Sequence, residues 1–220
     1  MGFKKILTSD TDKSFGQIGG GAWLNTTELW PTDPETGDLM LPVLTLTEHA
    51  LNIQYLPEGM ALTVFISVQR SGDSFKRSSL RNITINQKSE FDVLKKGYTK
   101  VLLHEKSNEE IFPESAGELI NKKYIDLQEF DEDDDAEEAE DDINGASISK
   151  VLGRPHWLQD LIPETPRYYF LAQITDYDIR KISPQHEGLF GNGMGYIFAD
   201  NRAKKLDEGA DGGYFFIQFT

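Results

Sequence analysis

The chain has 220 residues, a formal net charge of −15, 38% hydrophobic and 11% aromatic residues, and no cysteine. That length and apolar content suffice for a real core, while the missing cysteines exclude disulfides, thiol nucleophiles and thiolate metal sites. The Lys/Arg deficit disfavours direct nucleic-acid binding, which needs a basic surface against phosphate.

At the start, Met1-Gly2-Phe3-Lys4-Lys5-Ile6-Leu7 has two lysines but no apolar stretch after them, so no secretory leader is expected. Ile6 stands where an acylation motif at Gly2 needs Ser or Thr. No later run approaches the roughly 18 apolar residues of a membrane helix. The expectation is a soluble, cytoplasmic protein.

Strand signals dominate from there. Trp30 to Asp38 is turn chemistry, with Pro31, Pro34 and Gly37. Leu41 to Leu46 and Ala61 to Val68 read as strands, the latter rich in β-branched and aromatic residues. Between them, Thr47 to Leu51 predicts a short helix capped by Thr47. Arg81 to Asn86 alternates polar and apolar residues, as a half-buried strand does. Tyr98 to His104 is a further strand, and Pro113 to Asn121 a short helix opened by Pro113. Asp131 to Asp142 reads DEDDDAEEAEDD; its ten acids taken from the net −15 leave −5, so most of the acidity is one segment. Such a run repels itself and predicts a flexible connector. It has no glycine where a calcium loop needs one. Tyr168 to Ile174, Gly195 to Ala199 and Tyr214 to Phe219 complete the strands. The glycines from Gly188 to Gly195 precede a strand rather than follow one, which argues for close backbone approach rather than a phosphate loop.

Landmarks recur. Gln17-Ile18-Gly19 through Trp23-Leu24-Asn25 is echoed by Lys150-Val151-Leu152-Gly153 through Trp157-Leu158-Gln159, 134 residues later at the tryptophans. Leu41 to Leu46 is answered 128 residues on, and Gly59-Met60 by Gly193-Met194 at 134. The fold class expected is a β-rich α+β protein, internally duplicated. Two similar halves, 1–124 and 148–220, would pack as one compact unit about a pseudo-twofold, joined by an acidic linker over 125–147.

Chemistry is sparse. The four histidines are scattered singly, with no metal-ligand spacing, and no GxSxG elbow is present. No catalytic, cofactor-binding or metal-binding residue is assigned, and His156 is the one histidine to follow. Binding residues are easier to find. Trp157, Gln159, Gln173 and Tyr196 offer apolar surface together with a hydrogen-bonding tip, and Gln173 interrupts an apolar strand where a buried amide must be paired.

The residues Leu152-Gly153-Arg154-Pro155-His156-Trp157-Leu158-Gln159, Phe170-Leu171-Ala172-Gln173-Ile174, Phe190-Gly191-Asn192-Gly193 and Phe215-Phe216-Ile217-Gln218 resemble the YwqG-like family, a domain of unknown function. So do Trp30-Pro31, Gly37-Asp38-Leu39 and Leu56 to Met60. The family's usual Asp is replaced here by Asn192, and the first half lacks the Ala-Gln of its strand. The resemblance implies an α+β fold with internal pseudo-symmetry. Through neighbourhood with bacterial toxin systems, it also implies a partner-binding or immunity role. The functional expectation is a non-enzymatic protein-binding protein, with a basic toxin domain as the concrete partner. The alternative is a small-ligand module or cryptic enzyme with a pocket around Trp157 and Gln173. Partner- or ligand-binding residues are Trp157, Gln159, Gln173, Asn192 and Tyr196.

Overall fold

A computed structural model describes residues 3–51, 56–162 and 165–219; Met1 and Gly2, read above for a leader, lie outside them. The first part of the chain forms β1 (Lys4–Ser9), β2 (Gly16–Ile18), β3 (Leu41–Thr47), α1 (Glu48–Leu51) and β4 (Met60–Ile66). A small hairpin, β5 (Arg70–Ser71) and β6 (Ser74–Phe75), leads into α2 (Arg77–Asn82) and β7 (Thr99–Glu105). The rest forms β8 (Lys123–Glu129), α3 (Glu132–Glu140), β9 (Lys150–Val151), β10 (Tyr168–Thr175), α4 (Asp176–Ile182), β11 (Met194–Asp200) and β12 (Asp211–Gln218). Ten strands close into one antiparallel barrel in the order β1-β8-β2-β3-β4-β7-β12-β11-β10-β9 and back to β1. The protein is thus β-rich, as expected, but its few short helices form no layer of their own.

Closure explains the apolar runs. One hydrophobic cluster draws on all ten barrel strands, from Ile6 and Ile18 to Leu44, Val64, Val101, Ile125, Val151, Ile174, Ile197 and Phe215, and fills the lumen. The alternate side chains point outward, yet they too are buried. Phe65 and Leu102 pack with Trp30 and Met40 on one flank. Phe170, Phe198 and Phe216 pack with Trp157 on another. Strands covered on both faces lose polar–apolar alternation, so β4 and β10 read as continuous apolar runs.

Glycines make the closest approaches possible. A Cβ on Gly193 would lie 1.9 Å from the Gln218 carbonyl oxygen, and one on Gly195 2.5 Å from the Phe215 ring. The glycine-rich stretch is therefore a turn seating β11 against β12. Asp176 at the start of α4 anchors the turn by accepting the Gly188 and Phe190 amides (3.1 and 2.5 Å). Burial pushes the Asp176 carboxyl above its ordinary pKa.

Three expectations change. The alternating Arg81–Asn86 segment is not a free strand. Arg81 and Asn82 end α2, and Ile83 and Ile85 bond through their backbone to Ile217 of β12 (2.9 and 3.0 Å). Both isoleucines are fully buried there. The helix expected over Pro113–Asn121 shrinks to one 3-10 turn, Glu114–Ala116, ended by Gly117 at a φ of 71°.

The acidic run is the third. It is helix α3, N-capped by Asp131 and docked on the barrel, not a loose connector. Lys5 of β1 reaches Asp131 (2.6 Å) and Asp134 (2.7 Å). Glu138, 4% exposed, accepts the Lys150 ammonium (2.5 Å) and the amides of Ala146 (2.7 Å) and Arg154 (2.6 Å). Charge repulsion along the run is offset by these donors, which its composition does not reveal. Burial lowers the Lys150 pKa, and the Glu138 carboxylate opposes that shift.

Glu138→Ala leaves the Lys150 ammonium buried without its counter-charge and should cost about 3–5 kcal/mol in urea unfolding. Replacing Glu138 and Lys150 together with methionine should recover much of that loss.

The Lys5 hydrogen bond, helped by the Asp134 amide, holds the Asp131 carboxyl down to about 2. Because the folded value lies below the ordinary 3.8, the contribution is complete above about pH 4 and disappears as pH falls through about 2. The difference in Tm between wild type and Asp131→Asn should therefore be constant from pH 7 to 5 and shrink below 4. A gap that stays unchanged down to pH 2 would show that charge is not what Asp131 contributes.

Candidate functional site

Each flank of the barrel carries a row of buried polar side chains. On β9 to β12 these are Lys150, Gln173, Tyr196 and Gln218, all fully buried, with Lys150 facing Gln173 and Gln173 facing Tyr196 across the ladders. On β2, β3, β4 and β7 they are Gln17, Thr45, Thr63 and His104, with Gln17 facing Thr45 and Thr45 facing Thr63. Both rows serve loops that lie over them. Gln17 donates to the carbonyls of Gly19 and Gly21 (both 3.0 Å). Thr45, Thr63 and His104 form a chain (2.9 and 2.8 Å) ending at the Glu105 carbonyl. Burial keeps the His104 pKa below its ordinary value.

The second row holds the loop bearing Trp157. Gln173 accepts the His156 amide (2.8 Å) and donates to the carbonyls of Ala146 (3.0 Å) and Ile148 (2.8 Å). The Tyr196 hydroxyl donates to the His156 carbonyl (2.6 Å), and burial raises its pKa. Gln218 accepts the amides of Leu158 and Gln159 (3.1 and 3.2 Å) and donates to Asp160 (2.9 Å). Trp157 stacks on Tyr196 with centroids 5.1 Å apart and parallels Phe216. Of the residues singled out in the sequence, Trp157, Gln159, Gln173 and Tyr196 are therefore brought together, but their polar atoms engage this loop and its neighbours. Gln159 donates to the Phe219 carbonyl (3.1 Å). Asn192 takes no part; it is exposed in a left-handed turn at a φ of 62°.

The histidines do not converge. His156 Nδ1 meets the Gly145 carbonyl (3.0 Å), and His186 sits between Ser183 and the Glu118 carbonyl. Among the described residues no group of three or more His, Asp or Glu could hold a metal ion. None of their helices is long and apolar enough to cross a membrane.

A wide concavity lies elsewhere, over the seam where β7 meets β12. There Asp211 pairs with Leu102 and Gly213 with Val101, with a shift of register between them, and Leu103 continues the contact through backbone bonds with Gly209 and Ala210 (2.8 and 3.0 Å). The cleft measures about 680 Å³. One wall is Leu29, Trp30, Pro31 and Met40; the other is Phe91, Leu94, Tyr168 and Tyr214. Trp30 is fixed by its indole N–H to the Met40 carbonyl (2.9 Å) and its edge contact with Phe65. Phe91 and Leu94 come from a 3-10 stretch, Lys88–Lys96, tied down by Glu90 to the Asn86 and Gln87 amides and closed by Gly97 at a φ of 79°. At the rim Lys100 pairs with Asp211 and Lys95 with Asp92, both at 2.5 Å, while Glu28 makes no ion pair among the described residues. Nothing local marks this cleft in the sequence, because its residues span Glu28 to Tyr214. The one signal is the surplus of aromatics in elements with no catalytic motif.

Comparison with family models, curated proteins and solved structures finds no match to this chain.

Gln173→Ala leaves the His156 amide of the Trp157 loop and the Ala146 and Ile148 carbonyls before β9 without this partner, at about 1–3 kcal/mol each. It should therefore cost at least about 3 kcal/mol in urea unfolding. Unaltered stability would return Gln173 to a binding role.

Proposed function

We propose that the chain is a non-enzymatic protein-binding protein that meets a basic partner through an ordered acidic face. A toxin-neutralising role is its most concrete form. The observation that carries this reading is the division of labour within α3. Its inner acids, Asp134 and Glu138, are spent on Lys5 and Lys150. Glu132, Asp133, Asp135, Glu140 and the following Asp142 are exposed and make no ion pair among the described residues. Beside them, Glu137, Glu140, Asp141 and His156 line a recess of about 390 Å³ next to the Trp157 loop. Acids fixed on a docked helix project a persistent field, which steers a basic partner and raises its association rate.

Occlusion of the partner's active site would need no chemistry from this chain, and a cytoplasmic location belongs to the same reading. So does internal duplication. Exchanging β1 with β8, β2 with β9, β3 with β10, β4 with β11 and β7 with β12 returns the same ring order, and the two polar rows exchange with them. The YwqG-like resemblance, with its implied pseudo-symmetry, agrees with that exchange. The alternative of a ligand pocket at Trp157 and Gln173 is less favoured, since Gln173 and Tyr196 are occupied by loop backbone.

The test neutralises only the outer acids, as E132Q/D133N/D135N/E140Q, and leaves the inner latch intact. A basic partner retained by the wild-type protein at low salt should associate at least about tenfold more slowly with the variant. It should also lose affinity steeply as salt rises. Equal, salt-independent association would remove the acidic face from the function.

A further inference from the structure

We propose that the seam cleft binds an ammonium or guanidinium group carried on an apolar stem. The Glu28 carboxylate would sit at its mouth and the aromatic walls beneath. Charge at the rim decides the sign of the ligand. Both lysines there are already matched, Lys100 by Asp211 and Lys95 by Asp92. Glu28 is the lining charge that makes no ion pair among the described residues. An anion would meet no free cation and would enter against the field of a chain carrying −15. A cation is attracted by the same field and by Glu28.

The walls decide the rest of its chemistry. Leu29 and Leu94 offer apolar surface to a hydrocarbon stem, while the rings of Trp30 and Tyr214 line the cleft and attract cations. Tyr168 is already covered by Arg167 of this same chain, 4.9 Å from the ring centre and held by Asp200 (2.8 Å). At about 680 Å³ the cleft lies within the usual size of small-ligand sites.

The source of the cation is either a free organic amine or a Lys or Arg side chain of the basic partner proposed above. Only the second source rests on that reading.

The test titrates the intact chain with benzyltrimethylammonium, with its neutral tert-butyl analogue and with a short arginine-rich peptide, following tryptophan fluorescence and heat. The cation should bind about tenfold more tightly than the neutral analogue. Glu28→Gln, an exposed change that leaves the fold alone, should weaken the cation about fivefold. Lys100→Gln frees Asp211 and should strengthen it. A merely apolar groove would show none of this ordering. Equal binding of cation and analogue, or no binding of either cation or peptide, overturns the proposal. If the small cation binds and outer-face neutralisation leaves partner association unaltered, the site stands and the protein-binding reading falls. If partner association depends on the outer acids while Glu28→Gln and Lys100→Gln change no titration, the cleft proposal falls and the protein-binding reading stands.

Discussion

A closed sheet has no edge to shed its polar groups into water, and here both faces of most strands are covered. The lumen is filled from all ten strands, and two outer flanks are roofed by long loops. A roof made of loop carries backbone amides and carbonyls that must be paired once buried. Two rows of side chains supply those partners, Gln17 to His104 on one flank and Lys150 to Gln218 on the other. Much else depends on this requirement. It places Gln17, Gln173 and Gln218 inside apolar strands. It also fixes the tryptophans under their loops, and it gives Glu138 a site to enter.

The two flanks meet the requirement differently. On the first, Gln17 reaches the glycine loop directly through its amide nitrogen. On the second, Lys150 stands in the row on β9, and a buried ammonium needs an anion. The insertion between β8 and β9 brings that anion on α3. The helix is thus recruited by a charge in the barrel, and its outer acids follow as a consequence. A segment that would be disordered alone becomes an ordered, one-sided acidic surface.

The seam at β7 and β12 shows the converse. Over the ladder where β7 meets β12, residues of the two outer flanks face one another across a cleft. Its aromatic residues are held by contacts outside it, Trp30 through Met40 and Phe65, and Phe91 through its ring contact with Tyr214. A cleft whose shape is set from behind is preorganised for whatever enters it.

Much of the strand content was legible, since β3, β4, β7, β10, β11 and β12 are long apolar runs bounded by turn residues. So was the close approach at Gly193, where glycine precedes a strand and a Cβ has no room. The recurrence of Trp23 and Trp157, and the oddity of Gln173 in an apolar strand, pointed to the loop-clamping rows, although not to their purpose. What the sequence could not determine depends on distant pairings. Strands as short as β2 and β9 exist only because longer neighbours pair with them. Asp131 to Asp142 repels itself locally and is ordered by Lys5 and Lys150, 126 residues before Asp131 and 12 after Glu138. The seam cleft gathers side chains from Glu28 to Tyr214, and only the closing of the barrel brings them into one place.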